Sequence, residues 1–245
     1  MTALADGCIE LAIPVTGGNV SLYNSSGTEK NLPNSSINPT PVVGMLGIME
    51  DVSRANPSGF TEEGLAVVLL GDTRDELDGS AWARIRHGHF GGLPPQVDLS
   101  AEVALGNVVR ALSAADDPQG RPLIRAAHDL SNGGLAQSLV DMCLRFGVGG
   151  SFDLSEAAGI SGLGDFEMLF SESQGRALIA VHEAALPAVY AAAEAEGVQA
   201  TRIGTSGGEL LAVLGTDLLG EGEKPWVADL GELRAASEAA LRDRF

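Results

Sequence analysis

Basic residues are scarce in this chain of 245 residues, and lysine is the scarcest of them. Lys and Arg together number 15 against 33 Asp and Glu, which gives a net charge of −18, and the lysines are Lys30 and Lys224. A field of this sign repels nucleic acid and anionic membrane surfaces, so we exclude both as partners. A small phosphorylated ligand is still compatible with the charge, because backbone N–H groups, Arg or a metal ion can hold it locally.

Cysteines and long apolar runs are also few. Cys8 and Cys143 are too isolated to indicate a disulfide framework or a zinc site. No apolar run approaches the roughly 18 residues of a membrane span. Residues 1–8 lack the basic end and the long apolar core of a signal peptide. We therefore expect a cytoplasmic protein with no membrane partner.

Hydrophobic residues make up 44% of the chain and are spread along it, which is typical of a packed globular protein. From about residue 60, helix and strand patterns alternate without the strict regularity of a doubly wound fold, so the sequence predicts an α+β class with a mixed sheet. The expected helices lie at about 75–87, 100–115, 132–146, 183–196 and 229–243, and the expected strands at about 65–71, 123–128, 148–154, 176–182, 200–204 and 209–214.

The pattern of the first 55 residues predicts only part of a domain. A helix tail ends near Ala12, a short strand is expected at 13–15, and a second strand is expected at 41–49 after a polar loop. One helix and two strands cannot bury a core alone. We expect this segment to be the end of a domain whose beginning lies on another chain or is missing.

The stretch Gly17, Gly18, Asn19, Val20, Ser21 directly follows the first expected strand. Paired glycines let a ligand approach the backbone and expose N–H groups to an anion. The amide oxygen of Asn19 suits a hard cation, and the hydroxyl of Ser21 suits a phosphate. An ordinary turn explains the same residues, so local chemistry alone leaves both interpretations open.

Two further polar motifs carry carboxylates next to expected strands. Asp129 follows the strand at 123–128 and could ligate Mg²⁺, or else Asp129 or Ser131 could cap the next helix. Glu172 precedes the strand at 176–182, and the alternative there is a polar turn in which Glu172 pairs with Arg176 at the surface. Both alternatives remain open on sequence grounds.

Taken together, these motifs resemble the synthetase subunit of phosphoribosylformylglycinamidine synthase. The resemblance begins with residues 13–24 (Ile-Pro-Val-Thr-Gly-Gly-Asn-Val-Ser-Leu-Tyr-Asn) and 39–44 (Pro-Thr-Pro-Val-Val-Gly). It continues in order through 71–73 (Gly-Asp-Thr), 79–80 (Gly-Ser), 91–95 (Gly-Gly-Leu-Pro-Pro), 128–131 (His-Asp-Leu-Ser), 133–135 (Gly-Gly-Leu), 171–173 (Ser-Glu-Ser) and 175–177 (Gly-Arg-Ala). The matches span nearly the whole chain.

The resemblance implies the fold of the AIR synthase-like superfamily, in which this subunit carries two copies of an A-type and a B-type domain. It implies that residues 1–55 are the C-terminal part of an A-type domain and that 60–220 form a complete B-type domain. Residues 221–245 would be a C-terminal tail and helix. The first half of the subunit would then be a separate or missing partner, or a second copy would replace it.

The resemblance also implies a reaction: formylglycinamide ribonucleotide, ATP and glutamine-derived ammonia give formylglycinamidine ribonucleotide, ADP and phosphate. A glutaminase subunit would supply the ammonia, and a small third subunit would bridge the two. Gly18 resembles the family's ATP contact, Asn19 its Mg²⁺ ligand and Ser21 its substrate contact, whereas Gly17, Asp129 and Glu172 are second-rank candidates. The family's catalytic residues lie in the first half, so the catalytic residues stay unknown here.

Two alternatives keep the fold and change the function. The chain could be a noncatalytic fragment or scaffold half of that enzyme, because the first half is not in the sequence. It could instead be another ATP-dependent small-molecule kinase of the same superfamily. Formation of formylglycinamidine ribonucleotide by the chain would argue against the noncatalytic fragment. Phosphate transfer to thiamine monophosphate or selenide would favour the kinase.

Overall fold

The apolar run after the turn-rich junction at 56–59 forms a strand in the interior of a seven-stranded sheet. A computed structural model describes residues 2–20, 40–214 and 224–242 of the chain, and it divides the chain into two units, Met1–Val52 and Ser53–Phe245. All five residues of this strand, Ala66–Leu70, are buried, as the unbroken run of aliphatic side chains predicts. The rest of the second unit is built around it.

The elements are numbered in chain order. The strands are β1 Ala66–Leu70, β2 Ile124–Asp129, β3 Gly150–Asp153, β4 Ala177–Val181, β5 Ala200–Ser206, β6 Leu210–Leu214 and β7 Trp226–Asp229. The helices are α1 Thr2–Glu10, α2 Ala81–His87, α3 Leu99–Ala114, α4 Gly134–Phe146, α5 Ser155–Ser161, α6 Asp165–Phe170, α7 Leu186–Glu196 and α8 Leu230–Arg242, with short 3₁₀ helices at Val52–Arg54 and Glu183–Ala185.

The sheet is mixed, with strand order β2-β4-β1-β5-β3-β6-β7. Five neighbouring pairs are antiparallel, and β3 with β6 is the parallel pair. The sequence prediction of an α+β class with a mixed sheet is therefore confirmed. The register places Ala177 of β4 opposite both Leu70 of β1 and Asp129 of β2, so the ends of three strands meet at one edge of the sheet.

Alternation along β1 divides the apolar core between the two faces of the sheet. Val67 and Leu69 face a cluster that includes buried side chains of α4, α5, α6 and α8. Ala66, Val68 and Leu70 face a second cluster with buried side chains of α3 and α7. Because successive side chains of a strand point to opposite faces, one buried strand contributes to both clusters.

The first unit differs from the sequence prediction. The helix up to about Ala12 is confirmed as α1, but the expected strands at 13–15 and 41–49 are wrong, since both segments have no regular secondary structure. Val42, Leu46 and Ile48 are 97%, 95% and 94% exposed. A strand needs a neighbour for its backbone hydrogen bonds, and the described part of this unit supplies none.

In the second unit, the predicted helices and strands form with shifted ends. The helix expected at 75–87 begins only at Ala81, because the hydroxyl of Ser80 accepts a hydrogen bond from the N–H of Ala83 and caps the helix there. The short helices α5 and α6 and the four-residue strand β7 were not predicted, since their apolar patterns are too brief to show a period. β7 pairs with β6, which joins residues 226–229 to the sheet.

Among the described residues, no helix is long and apolar enough to cross a membrane.

The turn between α3 and β2 is organised by a single buried carboxylate. Asp117 accepts hydrogen bonds from the backbone N–H groups of Gln119 and Arg121 at 2.9 Å each, and from Nε of Arg121 at 2.8 Å. Burial alone would raise the pKa of Asp117, but these hydrogen bonds and the positive charge of Arg121 outweigh it and lower the pKa to about 2. The folded chain therefore favours the ionised form.

Replacing Asp117 by Asn should make the second unit less stable near neutral pH. The folded pKa of about 2 lies below the ordinary Asp value of 3.8, so the stabilising effect is complete above the ordinary value and is lost as pH falls towards 2. The difference in free energy of unfolding between the wild type and Asp117→Asn should shrink over that range. Urea titration followed by the fluorescence of Trp82 and Trp226, which both lie in this unit, measures it.

Asp116→Asn is the matched control, because Asp116 is 46% exposed and pairs with Arg54 at the surface. Its effect should be smaller at every pH. A difference for Asp117→Asn that stays constant between pH 6 and pH 2 would contradict the assignment.

Candidate functional site

The Gly-Gly-Asn stretch, residues 17–19, lies in the first unit. Gly17, Gly18 and Asn19 are exposed and belong to no helix or strand. A methyl group added at Gly17 or Gly18 would meet no atom within 4 Å, so nothing presses on this stretch of backbone. Ser21 lies outside the described residues.

The second unit gathers polar side chains where the ends of β1, β2 and β4 meet. We call residues 71–80, 130–133 and 171–176 the polar loop cluster. The first two loops leave the carboxyl ends of β1 and β2, and the third enters the amino end of β4. Because β4 is antiparallel to both neighbours, all three loops lie at the same edge of the sheet.

Two buried serines join the loops 71–80 and 171–176. The hydroxyl of Ser173 accepts from the N–H of Arg74 at 3.0 Å and donates to its carbonyl at 3.2 Å. The hydroxyl of Ser171 accepts from the N–H of Glu76 at 3.3 Å, and the N–H of Glu172 donates to the carbonyl of Glu76 at 3.1 Å. Both serines have no exposed surface, so their hydroxyls replace backbone partners inside the protein.

Arg176 lies beneath these loops and is only 3% exposed. Its guanidinium donates to the carbonyls of Ser173 and Ser171 at 2.9 and 2.7 Å and to Oγ1 of Thr73 at 3.0 Å. Burial lowers the pKa of Arg176 to about 10, and the negative charge of Glu76 counters part of that shift. The interpretation of Arg176 as a surface partner of Glu172 is therefore wrong, because the side chain points inward.

Glu172 binds backbone N–H groups. Its Oε1 accepts from the N–H of Ala81, the first residue of α2, at 2.7 Å and from the N–H of Gly133, which precedes α4, at 2.7 Å. One carboxylate oxygen thus connects the loop 171–176 to the loop 130–133 and to the start of α2. The partners are far apart in sequence, which is why the motif alone did not reveal them.

Asp129 is the last residue of β2, and its side chain is 76% exposed. Its Oδ1 lies 3.5 Å from Nδ1 of His128, and its carbonyl accepts from the hydroxyl of Ser138 at 2.9 Å. The helix-cap alternative is wrong, because the N-cap of α4 is Gly133 and neither Asp129 nor Ser131. Over the described ranges, no three His, Cys, Asp or Glu side chains are grouped to hold a metal ion.

Glu76 is the second carboxylate held inside the cluster. Its Oε1 accepts from the N–H of Gln96 at 2.8 Å, and its Oε2 lies 3.4 Å from Nε of Arg74. Burial acts to raise the pKa of Glu76, but hydrogen bonds with Ser173 and Gln96 and the charge of Arg74 lower it overall. Glu76 was not among the residues predicted from sequence, because an Asp/Glu-rich loop gives no signal that separates it from its neighbours.

An apolar cavity of about 710 Å³ adjoins the cluster and lies against α2, α4, α6 and β6. Trp82, Phe166 and Phe170 line it, and the ring centroid of Phe166 lies 4.9 Å from that of Trp82 and 4.9 Å from that of Phe170. Ala81 and Gly133, the two residues that bind Glu172, lie at its wall. Polar groups such as Arg86 and Gln137 are few in its lining, so the cavity is a surface for apolar contact.

Comparison with known proteins decides the family. Residues 62–213 match the family described as "AIR synthase related protein, C-terminal domain". The chain belongs to this family. The match covers β1 to β6, including the whole polar loop cluster.

Curated relatives extend the similarity over both units. The chain is 46% identical over 245 residues to phosphoribosylformylglycinamidine synthase subunit PurL of Renibacterium salmoninarum, and 49% identical over 212 residues to the subunit of the same name from a Nocardioides species. These matches cover 100% and 86% of this chain but only 29% and 25% of the relatives. The chain therefore spans between a quarter and a third of their length.

Solved structures confirm the fold. Thermotoga maritima PurL complexed with FGAR matches with a TM-score of 0.59 and 17% identity, over 74% of this chain and 30% of that one. The same protein complexed with ATP matches at 0.55 and 17%, and the PurLQS assembly matches at 0.53 and 15%, over 74% of this chain and 27% and 28% of those chains. The AIR synthase-like α+β fold expected from the sequence is thus confirmed.

Gly134→Ala should destabilise the second unit more than a glycine of similar backbone conformation does. Gly134 has φ +62°, and an added methyl group would lie 2.5 Å from the carbonyl oxygen of Ser171 and 2.8 Å from that of Leu169. Gly147 has φ +75°, with nothing within 4 Å. Gly147→Ala should cost about 1–2 kcal/mol for the left-handed conformation, and Gly134→Ala about 1–3 kcal/mol more for the contact.

Urea unfolding of the two variants side by side measures the difference. Equal losses would mean that the loop at 171–176 can move away from α4, which would contradict the tight packing of the polar loop cluster.

Proposed function

We propose that this chain is part of an ATP-dependent phosphoribosylformylglycinamidine synthase, a C–N ligase of purine biosynthesis that uses glutamine as its amido donor. The observation that carries the proposal is the 46% identity to a subunit of that name over all 245 residues. This similarity includes the Gly-Gly-Asn-Val-Ser stretch, which lies outside the matched family domain. The expected cytoplasmic location is part of the proposal.

The reaction activates an amide and then replaces its oxygen. ATP phosphorylates the amide oxygen of formylglycinamide ribonucleotide, which turns a poor leaving group into a good one. Ammonia then displaces phosphate, and formylglycinamidine ribonucleotide, ADP and phosphate are the products. The solved complexes of T. maritima PurL with ATP and with FGAR support these ligands for the family.

The chain's own contribution is the exposed stretch of the first unit. In this proposal Gly18 contacts ATP, Asn19 ligates Mg²⁺ and Ser21 contacts the substrate, with Gly17 as a second-rank contact. The exposure of Gly17 and Gly18 supports the assignment, because their N–H groups are accessible to an anion. Asn19 offers one hard oxygen donor, which fits Mg²⁺ only together with further oxygen ligands. Mg²⁺ bound there would neutralise phosphate charge.

Partners complete the enzyme in this proposal. Residues 1–55 form the end of an A-type domain, and 60–220 form a B-type domain. β7 and α8, from the tail expected at 221–245, pack with that domain. The exposed Val42, Leu46 and Ile48 support a covering partner, either the other half of the subunit or a second copy. The solved PurLQS assembly of T. maritima supports a complex with further subunits, which we assign as a glutaminase and a small bridging subunit.

A second candidate is a scaffold half without catalytic residues. The observation that favours it is the internal use of charged groups in the polar loop cluster, where Arg176 and Glu172 bind protein atoms. This candidate and the ligase share the fold and differ in whether the Gly-Gly-Asn stretch binds ligand. A superfamily kinase that acts alone has no such observation in its favour.

A chimera tests the proposal. The aligned segment of the Renibacterium salmoninarum relative is replaced by this chain, and formation of formylglycinamidine ribonucleotide from ammonia is measured. We expect activity, and we expect Asn19→Ala to reduce it at least about tenfold, because a metal ligand is lost. Asn107→Ala on the surface of α3 is the control and should leave activity unchanged.

Three results would contradict the proposal or part of it. A folded, inactive chimera would argue for the scaffold half, and an Asn19→Ala chimera as active as its parent would remove the metal-ligand assignment. Phosphate transfer by the chain to thiamine monophosphate or selenide, without activity on formylglycinamide ribonucleotide, would identify a kinase instead.

A further inference from the structure

Glu172 carries the further inference, because its carboxylate reaches two helix starts that are distant in sequence. The N–H of Ala81 belongs to the first turn of α2, and the N–H of Gly133 to the N-cap of α4. N–H groups at a helix start have no partner within the helix. Ser80 caps α2 through the N–H of Ala83 and leaves that of Ala81 to Glu172. α4 has no side-chain cap, so Glu172 supplies its N-cap with an acceptor.

The backbone of Glu172 is itself fixed. Its N–H donates to the carbonyl of Glu76, and the residues on both sides, Ser171 and Ser173, have buried hydroxyls bonded to the same neighbouring loop. Arg176 binds the carbonyls of both serines. Because the backbone is already held, only the side-chain torsions of Glu172 lose freedom when the carboxylate binds these two amides.

The alternative for Glu172 is a role as a direct ligand of metal or substrate. Its Oε1 already accepts two short hydrogen bonds of 2.7 Å, and no group of three His, Cys, Asp or Glu suited to a metal surrounds it in the described part of the chain. The starts of α2 and α4 meet at this carboxylate, and their N–H groups are its partners without any bound cation.

We infer that Glu172 is a positioning residue: through the N–H of Gly133 it holds the loop 130–133, and through the N–H of Ala81 it holds the start of α2. Asp129, which directly precedes this loop, is held by the pairing of β2 with β4, so the parts of the chain that Glu172 positions are the loop 130–133 and the start of α2. Any consequence for catalysis rests on the proposed function, whereas the effect on the two amides does not.

Three variants of the full chain distinguish the effect of the hydrogen-bond acceptor of Glu172 from the effect of its negative charge. Glu172→Gln keeps a carbonyl oxygen at the same reach and removes the charge, Glu172→Asp shortens the side chain by one methylene, and Glu172→Ala removes the acceptor. Amide hydrogen exchange measured by NMR reports on the N–H groups of Ala81 and Gly133. The N–H of Gly147, bonded to the carbonyl of Cys143 at the other end of α4, is the internal control.

We expect Glu172→Ala to speed exchange at Ala81 and Gly133 at least about tenfold, as expected for the loss of a bond worth about 1.4 kcal/mol, while Gly147 is unchanged. Glu172→Gln should stay within about threefold of the wild type, and Glu172→Asp should lose protection at one or both amides. Unchanged exchange in Glu172→Ala would overturn the inference. So would a Glu172→Gln variant that exchanges like Glu172→Ala, since charge would then be what matters.

The same variants in the active chimera give the catalytic readout. A positioning role predicts that Glu172→Gln keeps most of kcat and that Glu172→Ala lowers kcat. A ligand role predicts equal losses in both variants, and this result would overturn the inference. An inactive parent chimera with the expected exchange pattern would refute the proposed function and leave the positioning role of Glu172 intact.

Discussion

Burial of the Arg176 guanidinium is the constraint on which the polar end of the sheet depends. An ionised group taken out of water costs several kcal/mol unless hydrogen bonds and opposite charges compensate it. Here the compensation comes from two carbonyls of the loop 171–176 and from Thr73 of the loop after β1. If the loop after β1 moved, the guanidinium would lose its bond to Thr73, so burial of Arg176 ties the two loops together.

The buried Arg176 also determines the positions of neighbouring loops, through a chain of hydrogen bonds. Arg176 fixes the loop that carries Ser171 and Ser173, these serines bind the backbone of residues 74–76, and Glu172 between them reaches α2 and α4. The charged groups of the polar loop cluster are thereby used to build it. Asp129 is the candidate carboxylate that stays exposed, and the Gly-Gly-Asn stretch of the first unit is exposed throughout its described residues.

Much of the second unit could be predicted from sequence because its signals are local. The buried run of β1 and the amphipathic pattern of α4 are read over a few neighbouring residues, and both formed close to their expected positions. The strand expected at 41–49 failed for a non-local reason. Its apolar residues suit a strand, but strand pairing needs a partner, and the described residues of that unit offer none.

The candidate site shows the same limit. The sequence placed Asp129, Glu172 and Arg176 in polar motifs at strand ends, and the structure confirms that position for all three. It could not show that Arg176 points inward, since its partner Thr73 is 103 residues away, or that Glu172 binds Ala81, which is 91 residues away. Contacts of this range follow from the antiparallel register of β1, β2 and β4, which no single motif encodes.

The most direct measurement is the free energy of unfolding of Arg176→Met, compared with Arg176→Lys and with Arg110→Met on the exposed surface of α3. Arg176→Met removes three hydrogen bonds and the positive charge near Glu76 and Glu172, so it should cost about 3–5 kcal/mol. Arg176→Lys should fall in between, because it keeps the charge and loses the planar fork, and Arg110→Met should cost less than about 1 kcal/mol. An Arg176→Met variant within about 0.5 kcal/mol of the wild type would contradict the account.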